Sequence, residues 1–428
     1  MTQTGFPNRN GAYTWHQDPR ALHDSQSGKT WFGYVDSDGS IKIFERDPGG
    51  DDIESVLASE LFVDDHIGPT ILLRNDGHLV VFYARYTDVL YRVSTAPRDA
   101  SEFGAEQSIT TSASYPNPVQ MDSDEIYLFT RETDFQQGYR TSTDGGDSWD
   151  TWTQLTDFAP DRAYLKQFPD PNGTDIHLTI HRTNSGDTSN SDFWDHVIFA
   201  TDVGEIQDTD GTTIATESEL PLTASDLGSV ATGDGTDPNQ MRVWDLALDG
   251  DNRARVLYAK MDDRDAHEYY HARWDGSSWQ TSDITLDAGG GINELNRDYY
   301  SGGLCFDHGD LSTVYLSQQV GGQHQIYEAT TADNGATWSL SELATSNVLD
   351  YRPCPIRSPD ADGLSFVWLN GSFIDFTNYN TRVVSTEAYG SFRRVGIDVE
   401  GSGQPTPKHY DGSGQRWGQL RTFISDSS

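Results

Sequence analysis

The chain has 428 residues, with 67 Asp and Glu against 29 Lys and Arg, a formal net charge of -38. Such a negative field disfavours nucleic acid and anionic membrane surfaces as partners. The chain also contains 11 Trp, 20 Tyr and 18 Phe, enough aromatic surface for a packed core, which argues against a disordered chain.

The type of acidic residue is as informative as the charge. The sequence has 51 Asp to 16 Glu, and only 5 Lys to 24 Arg. A surface rich in Asp and poor in Lys suits a protein that must stay hydrated in molar salt, where the Debye length is only about 3 Å. We therefore predict a protein of an extreme halophile or of a virus of one. A merely acidic secreted protein is the alternative.

Short alternating apolar runs bounded by Gly, Asp, Asn and Pro dominate the chain, and helical periodicity is nearly absent. This pattern predicts β-strands in hairpins throughout. In chain order, the predicted hairpin units are 31–45, 71–83, 114–155, 162–200, 243–258, 302–340 and 351–384.

One short motif occurs twice, at 142–149 and at 331–338. Both copies read [S/T]-x-D-x-G-x-[S/T]-W, the Asp-box, which is typical of β-propeller blades. The aspartate is expected to accept hydrogen bonds across a tight turn, the glycine to adopt a left-handed backbone, and the tryptophan to fill the corner.

These features predict an all-β fold, a seven-bladed β-propeller of four-stranded antiparallel blades. We expect a single propeller domain over residues 1–390, with a long polar insertion at about 206–238 and a ring-closing or docking tail at 391–428. The first residues show no signal peptide, so we expect either that a signal has been removed or that the protein reaches its site without classical export. The expected location is extracellular or on a virion surface, without membrane insertion.

Two cysteines, Cys305 and Cys354, are too few for a disulfide framework. A single bridge and two buried free thiols are both compatible with the sequence, and we favour the free thiols. We expect no required cofactor and no metal in the active site. A structural calcium ion and an Asp64–Asp65–His66 metal cluster are the open alternatives.

Several phrases in order resemble the BNR-repeat family that includes seven-bladed ulvan lyases and related polysaccharide lyases. They are Asp65-His66-Ile-Gly-Pro69 with Asp76-Gly77-His78, Ser114-Tyr115-Pro116 with Tyr127 to Arg131, Arg162-Ala-Tyr164-Leu-Lys166, His177 with His181-Arg182, Trp244-Asp245, and Arg352-Pro353.

The resemblance implies β-elimination on a uronic-acid polymer, which needs a cation beside the carboxylate and groups that move protons. By motif, His66 is the candidate base or carboxylate partner, Tyr164 the acid/base tyrosine and Arg182 the carboxylate clamp. Tyr86 stands where these lyases carry a second histidine, and it completes the catalytic candidates.

The candidate substrate-binding residues are arginine, lysine and histidine side chains in or near these motifs: Arg85, Arg162, Lys166, His177 and His181. His177 and His181 are four residues apart on a predicted strand and so share one face. The expected partner is an acidic polysaccharide or a surface glycan.

Two functions of different class follow. The first is a polysaccharide lyase. The second is a non-catalytic glycan-binding virion protein of a halophilic archaeal virus, such as a turret, head or tail-fibre component, which would be a homo-oligomer. A sialidase is a weaker third hypothesis, because its arginine triad is not recognisable.

Overall fold

The computed structural model describes residues 9–110, 112–183, 192–233, 240–263, 266–292, 300–344, 346–358 and 364–385. Within these ranges the protein is all-β, as predicted, and its few helices are three-residue 3-10 turns at Asp65–Ile67, Thr133–Phe135, Glu217–Glu219 and Ala224–Asp226. No helix in the described part of the chain is long and apolar enough to span a membrane.

The strands of the first half of the chain are β1 (Arg9–Asn10), β2 (Ala21–Asp24), β3 (Lys29–Val35), β4 (Ile41–Arg46), β5 (Ile53–Ala58), β6 (Thr70–Leu73), β7 (Leu79–Ala84), β8 (Asp88–Val93), β9 (Gln107–Thr110), β10 (Ser114–Gln120), β11 (Ile126–Arg131), β12 (Gln137–Ser142), β13 (Thr153–Gln154), β14 (Thr156–Asp157), β15 (Arg162–Pro169), β16 (Asp175–Thr183) and β17 (Phe193–Ala200).

Those of the second half are β18 (Glu205–Asp208), β19 (Thr213–Thr216), β20 (Leu222–Thr223), β21 (Ala231–Thr232), β22 (Gln240–Leu248), β23 (Ala254–Asp263), β24 (Ala266–Trp274), β25 (Trp279–Thr285), β26 (Leu304–Phe306), β27 (Thr313–Val320), β28 (Gln323–Thr330), β29 (Ser339–Ala344), β30 (Leu349–Arg357), β31 (Phe366–Asp375) and β32 (Asn378–Ser385).

Most of these strands form four-stranded antiparallel sheets of consecutive strands. Such sheets are β6–β9, β10–β13, β22–β25 and β26–β29. A larger sheet contains β15–β19, with β21 paired to β17, and an eight-stranded sheet has the order β1-β32-β31-β30-β2-β3-β4-β5. In this last sheet the chain ends meet, because β1 pairs with β32 and the parallel pair β2–β30 joins the two halves.

The first strands of successive sheets contact one another, which places the sheets side by side. β2 contacts β6, β6 contacts β10, and the series continues through β15, β22, β26 and β30 back to β2. The sheets therefore close into a ring, as a β-propeller requires.

A buried segment between β1 and β2 lies across these first strands. Trp15 stacks on Trp244 with ring centroids 4.4 Å apart. The Gln17 side-chain amide donates to the backbone carbonyl oxygens of His66 and Gly68, and the backbone N–H of Asp18 donates to the side-chain oxygen of Asn117. Because its contacts reach several sheets, the segment closes the centre of the ring.

The predicted Asp-box turns are present, between β12 and β13 and between β28 and β29. Asp144 accepts from the Ser148 amide at 2.9 Å, and Asp333 accepts from the Thr337 amide at 2.8 Å. Gly335 has a φ of +87°, in the left-handed region as predicted. The structure thus confirms the predicted hydrogen bonds of the aspartates and the predicted backbone of the glycine.

The polar segment predicted as an insertion at 206–238 contains short strands where it is described. It completes the sheet of β15–β17 through β18 and adds β19 and β21 at its margins, while β20 pairs in parallel with β14. Cys305 and Cys354 are buried free thiols, as favoured. The predicted tail at 391–428 lies outside the described residues.

Candidate active site

Several of the candidate residues, including His66, Tyr86 and Tyr164, lie at one edge of the ring, where β10 and β15 begin and β7, β11 and β16 end. Consecutive antiparallel strands put the start of one strand beside the end of the next, so Ser114 pairs with Arg131 and Tyr164 pairs with His181. The turn Asp65–Ile67, which precedes β6, contacts β7 and β10 and so lies at the same edge.

His66 is held between two carboxylates. Its Nδ1 lies 3.0 Å from Asp64 Oδ1 and 2.7 Å from Asp65 Oδ1, and Asp65 Oδ2 pairs with the fully buried Arg352 at 2.5 Å. Burial alone would lower the pKa of His66, but the two aspartates outweigh it and raise this pKa to about 9. His66 is therefore an imidazolium at neutral pH, which suits a carboxylate partner better than a base.

Tyr86 lies next to His66, so the structure brings these two candidates together. Its hydroxyl donates to Asp64 Oδ2 at 2.9 Å. Burial and the charge of Asp64 raise the pKa of Tyr86 well above its ordinary value. Tyr86 is therefore a neutral hydrogen-bond donor and not a base.

Arg131 is the central cation of the site, and the sequence motifs assigned it no role. It is 9% exposed, and its guanidinium carbon lies 4.4 Å from the ring centroid of Tyr115 and 5.0 Å from that of Tyr164. Its Nε donates to Ser114 at 3.2 Å, but within the described residues its buried Nη1 has no hydrogen-bond partner and it has no carboxylate partner. We call Arg131, Tyr115, Tyr164 and His16 the Arg131 cluster.

Tyr164 is the acidic phenol of this cluster. Burial raises its pKa, but the charges of Arg131, Arg242 and Arg162 outweigh burial and lower it to about 8. Burial dominates at its neighbour Tyr115 and raises that pKa. Of the two adjacent phenols, Tyr164 is thus the one that ionises first, which fits the predicted acid/base function.

His16 comes from the segment that closes the ring, and nothing in the sequence pattern singled it out. Its ring stacks on Tyr164 with centroids 4.3 Å apart and an interplanar angle of 26°, and it lies 4.9 Å from Tyr115. Burial and the charge of His66 keep the pKa of His16 well below its ordinary value. His16 is therefore a neutral support beneath Tyr164.

The backbone of the site is unusual as well. Tyr86, Tyr115 and Phe135 have φ angles of 60°, 57° and 61°, and they are the aromatic residues in this left-handed region among those described. Non-glycine residues adopt it at a cost, and such strain concentrates at functional sites. All three lie at the edge of the ring where the candidate residues meet.

The two histidines of β16 share a face, as predicted, but they have different surroundings. His181 lies 6.0 Å from Tyr164, and burial together with Arg242 holds its pKa well below the ordinary value. His177 lies deeper in the sheet and shares a hydrogen bond of 3.0 Å with His196, and burial lowers its pKa to about 4. Only His181 reaches the Arg131 cluster.

Arg182, the predicted carboxylate clamp, lies on the other face of β16. Its guanidinium packs over Phe193 at 4.7 Å, and its Nε is 3.9 Å from Asp161 Oδ2. The reason is the strand period of two, which turns Arg182 away when His181 faces Tyr164. The structure does not bring Arg182 to the cluster, and Arg131 and Arg242 provide the cations there instead.

Lys166 is also placed differently from the prediction. It is 2% exposed, pairs with Asp18 at 2.5 Å and donates to the Trp15 carbonyl. A ligand cannot reach its buried amine. Lys166 therefore holds the segment between β1 and β2 in place and does not contact substrate. By contrast, Arg85 and Arg162 are exposed, with Arg85 paired to Asp88 and Arg162 packed over Phe135 at 4.6 Å.

Asp64, Asp65 and His66 offer ligand atoms within 4.8 Å of one another, so their spacing would also fit a metal ion. However, both carboxylates already engage His66, and Asp65 also pairs with Arg352. A proton on His66 Nδ1, shared with the carboxylates of Asp64 and Asp65, accounts for this arrangement, so we assign no metal ion to it.

Residues 29–286 match the family described as a BNR repeat-containing family member. The chain belongs to this family. The match covers more than half of the chain, including the first Asp-box, and agrees with the propeller architecture. No curated protein sequence matches the chain.

This BNR-repeat propeller is similar to two solved polysaccharide lyases. One is a PL25 ulvan lyase bound to -[GlcA(1-4)Rha3S]-, with a TM-score of 0.66, 16% identity, and coverage of 90% of this chain and 94% of the lyase. The other is polysaccharide lyase Uly1, with a TM-score of 0.56, 11% identity and the same coverage, 90% and 94%. At these identities the similarity establishes the fold.

Proposed function

We propose that this BNR-repeat protein binds a uronate-containing polysaccharide over the Arg131 cluster and cleaves it by β-elimination. We also propose that its ring has seven blades. The eight-stranded sheet divides at the parallel pair β2–β30 into two four-stranded blades, and the sheets that begin with β6, β10, β15, β22 and β26 supply the others.

The observation that carries this proposal is that Arg131 has no carboxylate partner within the described residues. A buried guanidinium without a carboxylate partner is costly, and its charge is available to an anion from outside the protein. In a chain with a net charge of -38, a cation left without an acidic partner is a departure from the general pattern. A uronate carboxylate is an anion of the right size and geometry for a guanidinium.

Tyr164 supplies the proton transfer. The Tyr164 phenolate removes the proton from C5 of the uronate, and the electron pair of that bond forms the C4–C5 double bond. The C4–O4 bond breaks with its electron pair on O4, and the Tyr164 hydroxyl returns a proton to O4. Arg131 stabilises the charge that develops on the carboxylate, which makes the C5 proton more acidic.

His66 is the second cation in this scheme. Asp64 and Asp65 hold its Nδ1, and no described residue accepts a hydrogen bond from its Nε2. The imidazolium can therefore donate to the substrate carboxylate beside Arg131, since both cations adjoin Tyr115. Tyr86 keeps Asp64 oriented through its hydrogen bond.

The test is an ultraviolet assay for the unsaturated uronate product, on a panel of uronate polysaccharides in concentrated salt. We expect Arg131→Gln to lower kcat/KM by roughly 100-fold or more, as for other groups that stabilise transition-state charge. Arg253→Gln serves as the matched control, because Arg253 lies in the turn between β22 and β23 and pairs with Asp251. Tyr164→Phe should remove product while polysaccharide binding persists.

Arg182→Gln separates this assignment from the one made by motif. Loss of product in Arg182→Gln with full activity in Arg131→Gln would overturn the role of Arg131.

Binding without cleavage is the second candidate function, since Tyr86 replaces a histidine and its hydroxyl is committed to Asp64. Affinity for the polysaccharide with no unsaturated product at any pH would establish it. If the protein acts as a virion component, it should also co-sediment with virus particles.

A further inference from the structure

Phe135 is a large apolar side chain in an exposed and strained position. It is 48% exposed, although phenylalanine is usually buried. Its φ is 61°, and that of the preceding Asp134 is 52°, so two successive residues occupy the left-handed region. Neither the exposure nor the backbone favours stability, and both are typical of a residue kept for function.

The loop that presents Phe135 is firmly held. Gln136 is 1% exposed, and its side-chain amide donates to the carbonyl oxygens of Asp134 and Asp161, each at 2.9 Å. Its side-chain oxygen accepts from the Phe158 amide at 2.8 Å. These bonds tie the loop to the next sheet, so the phenyl ring stands at a defined place on the rim.

Two arginines lie against this ring. The Arg162 guanidinium is 4.6 Å from its centroid and the Arg131 guanidinium 5.3 Å. Within the described residues, neither arginine has a carboxylate partner. Since Arg131 is also 5.0 Å from Tyr164, the Phe135 and Tyr164 rings are no more than about 10 Å apart, within reach of neighbouring sugars of one chain.

We propose that Phe135 and Arg162 form an outer sugar-binding subsite. The exposed phenyl face packs against the C–H face of a sugar next to the uronate, and Arg162 binds an anionic substituent of that sugar, a carboxylate or a sulfate. The subsite rests on the proposed function, because it extends the same polysaccharide away from the Arg131 cluster. It makes the protein selective for chains with an acidic group on the sugar beside the cleaved bond.

The test measures affinity in the Tyr164→Phe background, where substrate is not consumed. The probes are two uronate oligosaccharides, a disaccharide and a hexasaccharide, studied by titration calorimetry. We expect Phe135→Asn to weaken hexasaccharide binding about tenfold and to leave disaccharide binding within twofold. Asparagine tolerates a left-handed backbone, so this variant should unfold at a temperature no lower than its parent.

Lower affinity with unchanged or higher stability would separate a binding role from a structural one. Arg162→Gln should remove the preference for hexasaccharides with an acidic outer sugar over neutral ones, and paired carboxylated and sulfated probes identify which anion it binds. Equal hexasaccharide affinity in Phe135→Asn and its parent would overturn the subsite, as would the absence of binding to every probe. Cleavage by the wild type with unchanged Phe135→Asn affinity would refute the subsite alone and leave the proposed function standing.

Discussion

At the level of single residues, the site separates groups of the same type by their surroundings. Tyr164 and Tyr115 adjoin the same arginine, yet cations lower the pKa of Tyr164 to about 8, whereas burial raises that of Tyr115. His66 and His16 differ in the same way, because the carboxylates of Asp64 and Asp65 reach only His66. Surroundings that push the pKa values of two like groups apart are typical of sites in which one group acts as an acid or a base.

Product formation should depend on pH through these two groups. The rate should rise toward pH 8, as Tyr164 ionises, and fall above pH 9, as the His66 imidazolium loses its proton. Initial rates in a constant-salt buffer series measure the profile. Arg131→Lys should keep the rising limb near its place, while Arg131→Gln should move it to higher pH. An unmoved limb in Arg131→Gln would contradict the assignment of that limb to Tyr164.

The buried pair of Asp65 and Arg352 predicts a large effect on stability. Asp65→Asn leaves a fully buried guanidinium without its carboxylate, so we expect a loss of about 3–5 kcal/mol in the free energy of unfolding. Urea titrations at fixed salt measure this loss. Asp64→Asn is the control, because within the described residues Asp64 contacts His66 and Tyr86 but pairs with no arginine, and its effect should be clearly smaller.

His66 makes a further pH-dependent contribution. Its pKa is about 9 in the folded protein and near 6.5 when unfolded, so the folded state holds the proton more tightly. The resulting stabilisation is fully present below pH 6.5 and is lost as pH rises to 9. Urea midpoints across this range should fall in the wild type and change less in Asp65→Asn. If the urea midpoints of the wild type and Asp65→Asn fell equally with pH, the assignment of this effect to His66 would be wrong.

At the level of elements, each Asp-box joins two sheets. The turn after β12 accepts hydrogen bonds at Gly145 from Arg74 and at Gly146 from Tyr91, both from the preceding sheet. In the turn after β28, the Asn334 side chain accepts a hydrogen bond from Arg255 and the Gly335 carbonyl accepts one from Ser282. The motif therefore determines the hydrogen bonds within each turn, whereas the contacts of the turn with the preceding sheet depend on residues distant in sequence.

Two glycines of these turns give a matched comparison. Both have left-handed φ angles, 99° at Gly146 and 87° at Gly335, so alanine is strained at either, at a cost of about 1–2 kcal/mol. A methyl group at Gly335 would also approach the His271 ring to 2.4 Å, whereas at Gly146 its nearest neighbour is 3.7 Å away. Thermal unfolding should therefore show a larger loss for Gly335→Ala, by about 1–3 kcal/mol. Equal losses would contradict this difference.

At the level of the whole molecule, the net charge of -38 predicts that folding depends on salt. Self-repulsion destabilises the compact state, and screening weakens it as the Debye length falls from about 10 Å at 0.1 M to about 3 Å at 1 M. The unfolding temperature should rise steeply with KCl and much less with sucrose. Full stability at low ionic strength would contradict the halophile prediction.

The sequence was sufficient for the features that depend on local chemistry. Strand alternation predicted the all-β fold, and the two motifs predicted turns in which Asp144 and Asp333 accept the expected amides. The ordered phrases also led to His66, Tyr86 and Tyr164, which the structure places at one edge of the ring.

The tertiary structure decided which cation serves Tyr164 and which groups carry charge. Arg182 follows His181 directly, so motif order brought it into the prediction, but the pleat turns it to the other face. Arg131 and His16 reach Tyr164 from other parts of the ring, and Asp18 takes Lys166 into a buried pair. Local sequence encodes hydrogen bonds and strand faces, whereas pKa values and charge pairing depend on distances that only the closed ring establishes.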